Sequence, residues 1–439
     1  MKNPLIVCRS LSRCCGDSSK RVCTSFVAAL FTVLMLAFTG FTEELPQREF
    51  KAYALDRDTH SADISPDEKL VVTQITRVDP SNDPSGTKVV ELAQLWDFRH
   101  TNLVAEVQLS EVIVSKGRFA IDPSLPRFAR FTADGQLVAI YLDYFIYVLS
   151  SSDLRPIRRI PINGPPGAIH SYESKKTGIH SFVSKSNLSI FELSPVGHKV
   201  AVVWTGGYDV SIQVELYDLD SGKQLSQWNT RDRGLGVLPP SALAWMPNGE
   251  QFVLAVPNEN TCASPGREAD LFAVDPMLGT IQMKMRSGLL VDDIAVTRDG
   301  RVWAVDGSCV GVFTNHKPKM RVFDIHTGKR LKELAGRGSG VRHAVAASRN
   351  GDLVAAYTGK IKVDFDWSDM VSYYVPRDET FSVWNATKYE LIAISNNLAR
   401  PRQERLRPVF QQTLRISSNG NFVLYGNTVY DIRNDSEKN

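Results

Sequence analysis

The stretch RVFDIHTGKRLKEL, Arg321 to Leu334, decides the fold. It has an apolar run (Val322, Phe323, Ile325), a polar turn around Gly328, and a second run carrying Leu331 and Leu334. Apolar runs on both sides of a short glycine-containing turn predict a β-hairpin. A lone hairpin is marginal in water, so its companions must lie elsewhere in the chain.

Two close relatives of this hairpin are LYDLDSGKQL (Leu216 to Leu225) and FAVDPMLGTI (Phe272 to Ile281). In all three an Asp precedes a Gly by four positions: Asp218 and Gly222, Asp275 and Gly279, Asp324 and Gly328. The carboxylate can accept backbone N–H groups of the turn while Gly takes the left-handed position that closes it. Looser versions begin at Leu95 (LWDFRHTNLV), Val383 (VWNATKYELI) and Val429 (VYDIRN).

A second turn recurs between these hairpins. It reads ISPDEKLVV from Ile64, FTADGQLVA from Phe131, LSPVGHKVA from Leu193 and WMPNGEQFV from Trp245, then VTRDGRVWA from Val296, ASRNGDLVA from Ala347 and ISSNGNFVL from Ile416. Each copy joins a preceding strand to an alternating one. The two turn types together define units of four short antiparallel strands. Repeats of this length and content predict propeller blades, and seven copies predict an all-β, seven-bladed β-propeller. The seventh unit supplies three strands before the chain ends, while EFKAYAL, Glu49 to Leu55, stands unpaired before the first unit. That segment is expected to fill the outer place of blade seven and close the ring, removing exposed sheet edges. The propeller then spans residues 49–434, followed by a polar tail at 435–439.

The Asp-x-x-x-Gly-Lys hairpins at Asp218 and Asp324, the Trp96-Asp97 pair and the SPDG-like turns resemble those of WD-repeat and YVTN-type β-propellers. The resemblance covers about residues 49–434 and concerns architecture.

Residues 1–42 form a basic leader. Lys2, Arg9, Arg13, Lys20 and Arg21 stand against Asp17 alone, so the rest of a chain of net charge +3 is close to neutral. A body without a basic surplus does not carry the electrostatic footprint of a nucleic-acid binder. The uncharged run Phe26 to Phe41, followed by Glu43 and Glu44, reads as a hydrophobic helix that directs the chain outward. A cleaved signal peptide and a retained, transmembrane signal anchor both fit it, and an extracytoplasmic body (periplasmic, secreted or membrane-anchored) is expected either way. Cys8, Cys14, Cys15 and Cys23 precede the run, and the body keeps only Cys262 and Cys309. They fall in corresponding loops of neighbouring blades, so a disulfide between them is expected in an oxidising compartment.

Strand direction alternates within a blade, so the two repeated turns share one trimmed underside. The longer connections, such as Thr76–Val89, Gly359–Glu379, Pro161–Asn187 and Ser395–Gln411, share the opposite face. Loops on a rigid scaffold are where function sits. The insertion Lys360–Glu379 interleaves Asp364, Asp366 and Asp369 with Trp367, Tyr373 and Tyr374. The acids have spacings compatible with Ca²⁺, but the segment lacks the Gly and terminal Glu of a calcium loop, so solvated acids and no metal are expected. Arg400, Arg402, Arg405 and Arg407 cluster against Glu404. Such guanidinium groups can grip carboxylate or phosphate in bidentate fashion, or can lie solvated beside nearby acids.

The sequence contains no zinc-type His or Cys spacing and no nucleophile elbow. Arg342 and His343 begin an innermost strand and are expected at the channel mouth. The expectation is therefore a monomeric, non-catalytic scaffold without a cofactor, binding a protein or polymer partner through its insertion face. A lactonase- or lyase-like propeller enzyme with a small-molecule site at the channel mouth is the alternative.

Overall fold

The computed structural model describes residues 48, 50–56, 58–80, 86–115, 127–162, 164, 169–174, 179–184, 186–206, 212–236, 238–258, 268–307, 319–335, 342–366, 371–395 and 414–433. Its strands form seven four-stranded antiparallel sheets and one separate hairpin. Blade 1 is Thr59–Ile64, Leu70–Pro80, Gly86–Asp97 and Asn102–Ser115. Blade 2 is Phe128–Phe131, Leu137–Leu142, Phe145–Ser150 and Pro156–Pro161. Blade 3 is Ser186–Leu193, Lys199–Gly206, Gln213–Asp218 and Gln224–Asn229. Blade 4 is Ala242–Trp245, Phe252–Pro257, Ala269–Val274 and Ile281–Arg286. Blade 5 is Val291–Val296, Arg301–Asp306, Lys319–Asp324 and Arg330–Ala335. Blade 6 is Arg342–Ala347, Leu353–Asp366, Val371–Asn385 and Leu391–Ser395.

Blade 7 takes Leu414–Ile416, Phe422–Tyr425 and Thr428–Asp431 from the C-terminal end and Lys51–Ala54 from the N-terminal side. The closing strand pairs antiparallel from Lys51↔Asp431 to Ala54↔Thr428, as the unpaired segment before the first unit predicts. First strands of consecutive blades adjoin one another around a complete circle, blade 7 meeting blade 1.

A blade buried on both faces needs near-continuous apolar strands, with polarity deferred to its outer edge. Ala269–Val274 is buried at every position, whereas Pro156–Pro161 and Arg330–Ala335 each bury only their fifth residue. The core is consequently divided into wedges, one along each seam between neighbouring blades. Trp245, Phe252 and Leu254 meet Ile190, Val203 and Val214 between blades 3 and 4. Tyr53, Phe98 and Phe422 fill the closing seam, where Tyr53 and Phe422 each pack edge-on against Phe98.

The repeated turns also hold the seams. Asp275 Oδ1 accepts the N–H groups of Met277 and Leu278 at 2.8 and 2.9 Å, and Asp324 and Asp218 act likewise. Gly279, at φ +66, sits so close to Trp228 of blade 3 that an added Cβ would stand 2.6 Å from its ring. Gly222 faces Arg158 of blade 2 and Gly328 faces Met283 of blade 4. Turns without that glycine hold the same left-handed position with a side chain, exposed at Thr101 (φ 54) and filling the neighbouring seam at two others. Tyr389 (φ 59) packs on Trp303 of blade 5, and buried Leu154 (φ 57) joins the wedge between blades 1 and 2.

Three expectations are revised. The longer connections are partly paired ribbons rather than loops: Lys360 to Asp366 pairs with Arg377 to Val371, and blade 1 pairs out to Pro80↔Thr87. Alternating apolar residues on both arms (Ile361, Val363, Phe365; Val371, Tyr373, Val375) favour extension of the ladder over a loop. Within Pro161–Asn187, Ile169–Ser174 and Ile179–Ser184 form the separate hairpin. The expectation of a transmembrane, membrane-anchored chain is corrected as well. No helix among the described residues is long and apolar enough to cross a membrane, because apolar runs there are short strands consumed by the seams. The leader, including residues 26–41, lies outside the described residues.

Candidate binding face and central channel

The connections after the second and fourth strands of each blade open on one face, and the paired ribbons rise from it. Blade 6 carries the longest pair, with Asp364 opposite Tyr373, Val363 opposite Tyr374 and Asp366 opposite Val371 in the backbone register. Arg342 and His343 begin the first strand of blade 6, opposite Gly359 and Thr358. The side chains of these residues, and Trp367, Asp369, Arg400, Arg402, Arg405, Arg407, Cys262 and Cys309 altogether, lie outside the described residues.

On the same face, blades 1 and 2 are locked by a polar network that carries no sequence motif. Arg127 and Glu91 form a bidentate pair at 2.7 and 3.3 Å, with side chains 3% and 8% exposed. Thr76 Oγ1 donates to Glu91 at 2.8 Å, and His60 Nε2 lies 2.7 Å from the Thr76 hydroxyl. Breaking such a buried pair from one side strands the other charge, so the network fixes the seam.

The channel holds the least expected arrangement. Blades 3 and 7 lie on opposite sides of the ring, yet Arg415 Nη2 of blade 7 meets Glu192 Oε1 of blade 3 at 2.5 Å. Arg130 of blade 2 approaches the same oxygen at 3.8 Å. On the underside, Arg349 Nη1 of blade 6 donates across the ring to the Ala133 carbonyl of blade 2. Arginine reach therefore ties opposite blades through the centre.

Two Asp side chains in this tier serve the backbone. Asp63 accepts the Phe131 N–H at 2.9 Å, and Asp293 accepts the Val345 N–H at 3.0 Å, each from the next blade. Burial pushes Asp293 up to about 7, against the opposing pull of these bonds and of Arg415, and raises Asp63 too. Burial, with the Arg415 charge beside it, lowers Arg130 to about 10, whereas Glu192 and Asp63 outweigh burial at Arg415 and raise it. The two guanidinium groups move in opposite directions because Glu192 is committed to one of them. Asp63, Arg130, Glu192 and Arg415 each stand immediately before a copy of the repeated turn. They therefore share one place on the innermost strands, and only ring closure brings them together. Among the described residues, no group of His, Cys, Asp and Glu is arranged to hold a metal ion.

The topology defines a seven-bladed β-propeller, the architecture that WD40 and YVTN-type propellers share. No family model matches the chain, and no curated protein matches it. Among solved structures it is similar to the hydrazine synthase of Kuenenia stuttgartiensis at 13% identity and TM-score 0.48, over 90% of this chain and 98% of that one. It is also similar to the Pan2 WD40 domain of Neurospora crassa at 12% identity and TM-score 0.47, over 85% and 87%. The RRP9 WD40 repeats follow at 11% identity and TM-score 0.47, over 89% and 99%. These are likenesses of fold.

Proposed function

We propose that this propeller is a non-catalytic scaffold that binds a protein or polymer partner through its ribbon-bearing face around blades 6 and 7. The carrying observation is the paired extension of blade 6, Lys360–Asp366 with Val371–Arg377, which projects an aromatic and acidic segment from a rigid sheet. A paired ribbon holds its residues with less ordering cost on binding than a free loop. The Arg-rich segment 400–407 follows the same blade in sequence and adds the residue type that most often joins aromatics at interface centres. The ties of Arg415 to Glu192 and Arg349 to Ala133 cross the ring and brace opposite blades, which supports a rigid platform beneath that face. The basic and apolar leader supports an exported body, acting as a monomer outside the cytoplasm.

The test compares the full chain with a variant in which residues 361–376 are replaced by Asn-Gly. In-cell crosslinking is expected to give a defined adduct with the full chain and to lose it with the shortened ribbon, at unchanged melting midpoint. An adduct of equal yield from the variant would move the binding surface elsewhere.

A further inference from the structure

We infer that the central channel binds a small oxyanion, a carboxylate or phosphate group, between Arg130 and Arg415. The site lies on the innermost strands, away from the ribbons and independent of what they bind. Arg130 is 3% exposed, and its Nε and Nη2 have no hydrogen-bond partner; Arg415 Nε has none either. The remaining Arg130 nitrogen donates to the Ala129 carbonyl at 2.9 Å and to Ser61 Oγ at 3.3 Å, which holds the guanidinium in place. Buried donors left without partners are costly, and a guanidinium more so than an amide.

The acids around the pair leave these donors unanswered. Glu192 bonds Arg415 and stands 3.8 Å from Arg130, beyond hydrogen-bond range. Asp63 and Asp293 direct a carboxylate oxygen to the N–H groups of Phe131 and Val345. Burial pushes Asp293 up to about 7, so near neutrality it carries only part of a negative charge toward this pair. An oxyanion accepts several N–H donors at once and matches the guanidinium fork. Glu192 and Arg415 retain side-chain exposures of 23% and 25%, which leaves the site a route to solvent.

The experiment titrates the full chain at pH 7 and fixed ionic strength with inorganic phosphate and, separately, with acetate, chloride being the control. The melting midpoint is expected to rise saturably with at least one of the two, the better ligand identifying the head group. Arg130→Gln is expected to weaken the apparent Kd by roughly tenfold or more, about 1.4 kcal/mol. If that variant does not fold, Arg415→Lys, which keeps the charge but lacks the free Nε–H, takes its place. Arginine Nε–H resonances of the unaltered protein provide a second readout, and two of them should shift saturably with the ligand. No saturable response to either anion, or equal affinity in the variants, overturns the inference.

Discussion

Glu68 Oε2 accepts a 2.7 Å hydrogen bond from Asn421 Nδ2, joining the first turn of blade 1 to the corresponding turn of blade 7. Its other oxygen accepts the Asn419 N–H at 3.0 Å. Glu68 occupies the left-handed position (φ 61) that glycine holds in the other copies of this turn, such as Gly135 and Gly351. The departure from glycine lies at the seam where the two ends of the chain meet. Here the carboxylate, rather than close packing, makes the connection.

Glu68→Gly isolates that connection. Relief of the left-handed backbone is worth about 1–2 kcal/mol, and loss of two bonds to a charged acceptor costs about 1.5–3 kcal/mol each. A net destabilisation is expected in chemical denaturation. A variant as stable as the parent would show that the backbone strain, not the bonding, dominates this position.

Ring closure by the N-terminal strand gives a larger effect. Deleting Glu49–Leu55 removes the pairing to Thr428–Asp431 and the packing of Tyr53 on Phe98. The bare edge and the open wedge should lower the melting midpoint of the whole propeller in calorimetry, because closure couples each blade to the next. An unchanged midpoint would refute that coupling.

The hairpin glycines are expected to be costly to replace for a reason beyond their φ values. Gly279→Ala places a Cβ 2.6 Å from the Trp228 ring, whereas Gly197, at φ +70, has nothing within 4 Å of an added Cβ. Both variants bear the left-handed penalty, and only the first overpacks a seam, adding about 1–3 kcal/mol. Equal losses in urea titration would mean that Trp228 yields freely.

Two groups impose a pH dependence on stability. His198 bridges Asp134 of blade 2 and Asp220 on the underside at 2.9 and 2.7 Å. Burial alone would lower its imidazole, but the bonds to Asp220 and Asp134 outweigh burial and raise it above 6.5. Its contribution is complete below that value and disappears as pH rises through the folded value. Asp293, raised by burial from 3.8 to about 7, acts in the same direction at lower pH: stability declines between those values because the carboxyl ionises in the unfolded chain while the buried one keeps its proton. Melting midpoints should therefore fall from pH 5 to 8. Asp293→Asn should flatten the acidic part of that fall and His198→Gln the part above 6.5. Parallel profiles for parent and variants would remove both assignments.

For the binding face, Trp367→Ala or the double change Arg402→Ala and Arg405→Ala should weaken partner binding with little effect on melting. The exposed underside residues Lys223 and Lys329 serve as comparison sites. Equal loss from Lys223→Ala or Lys329→Ala would place recognition on the underside.

Blade count, the four-stranded unit, the trimmed underside and the closing strand were determined by local patterns: Asp and Gly four apart, Asp-Gly or Asn-Gly turns, and short apolar runs between them. These are legible because turn geometry depends on a few adjacent residues. What the seams require was not legible. Gly279 reads as a turn residue, and only the approach of Trp228 shows its second role. Leu154 and Tyr389 lack the glycine signal yet occupy the same position, because a side chain there fills the neighbouring wedge. The paired ribbon at 360–377 was partly encoded in alternation, but residues 367–370 between its arms carry no Asn-Gly signal. Arg415 and Glu192 are more than two hundred positions apart, and Arg130 is equally isolated. Each stands immediately before a copy of the repeated turn, but that pattern does not show which of them meet, since a channel interior is assembled from one strand of every blade and exists only once the ring has closed.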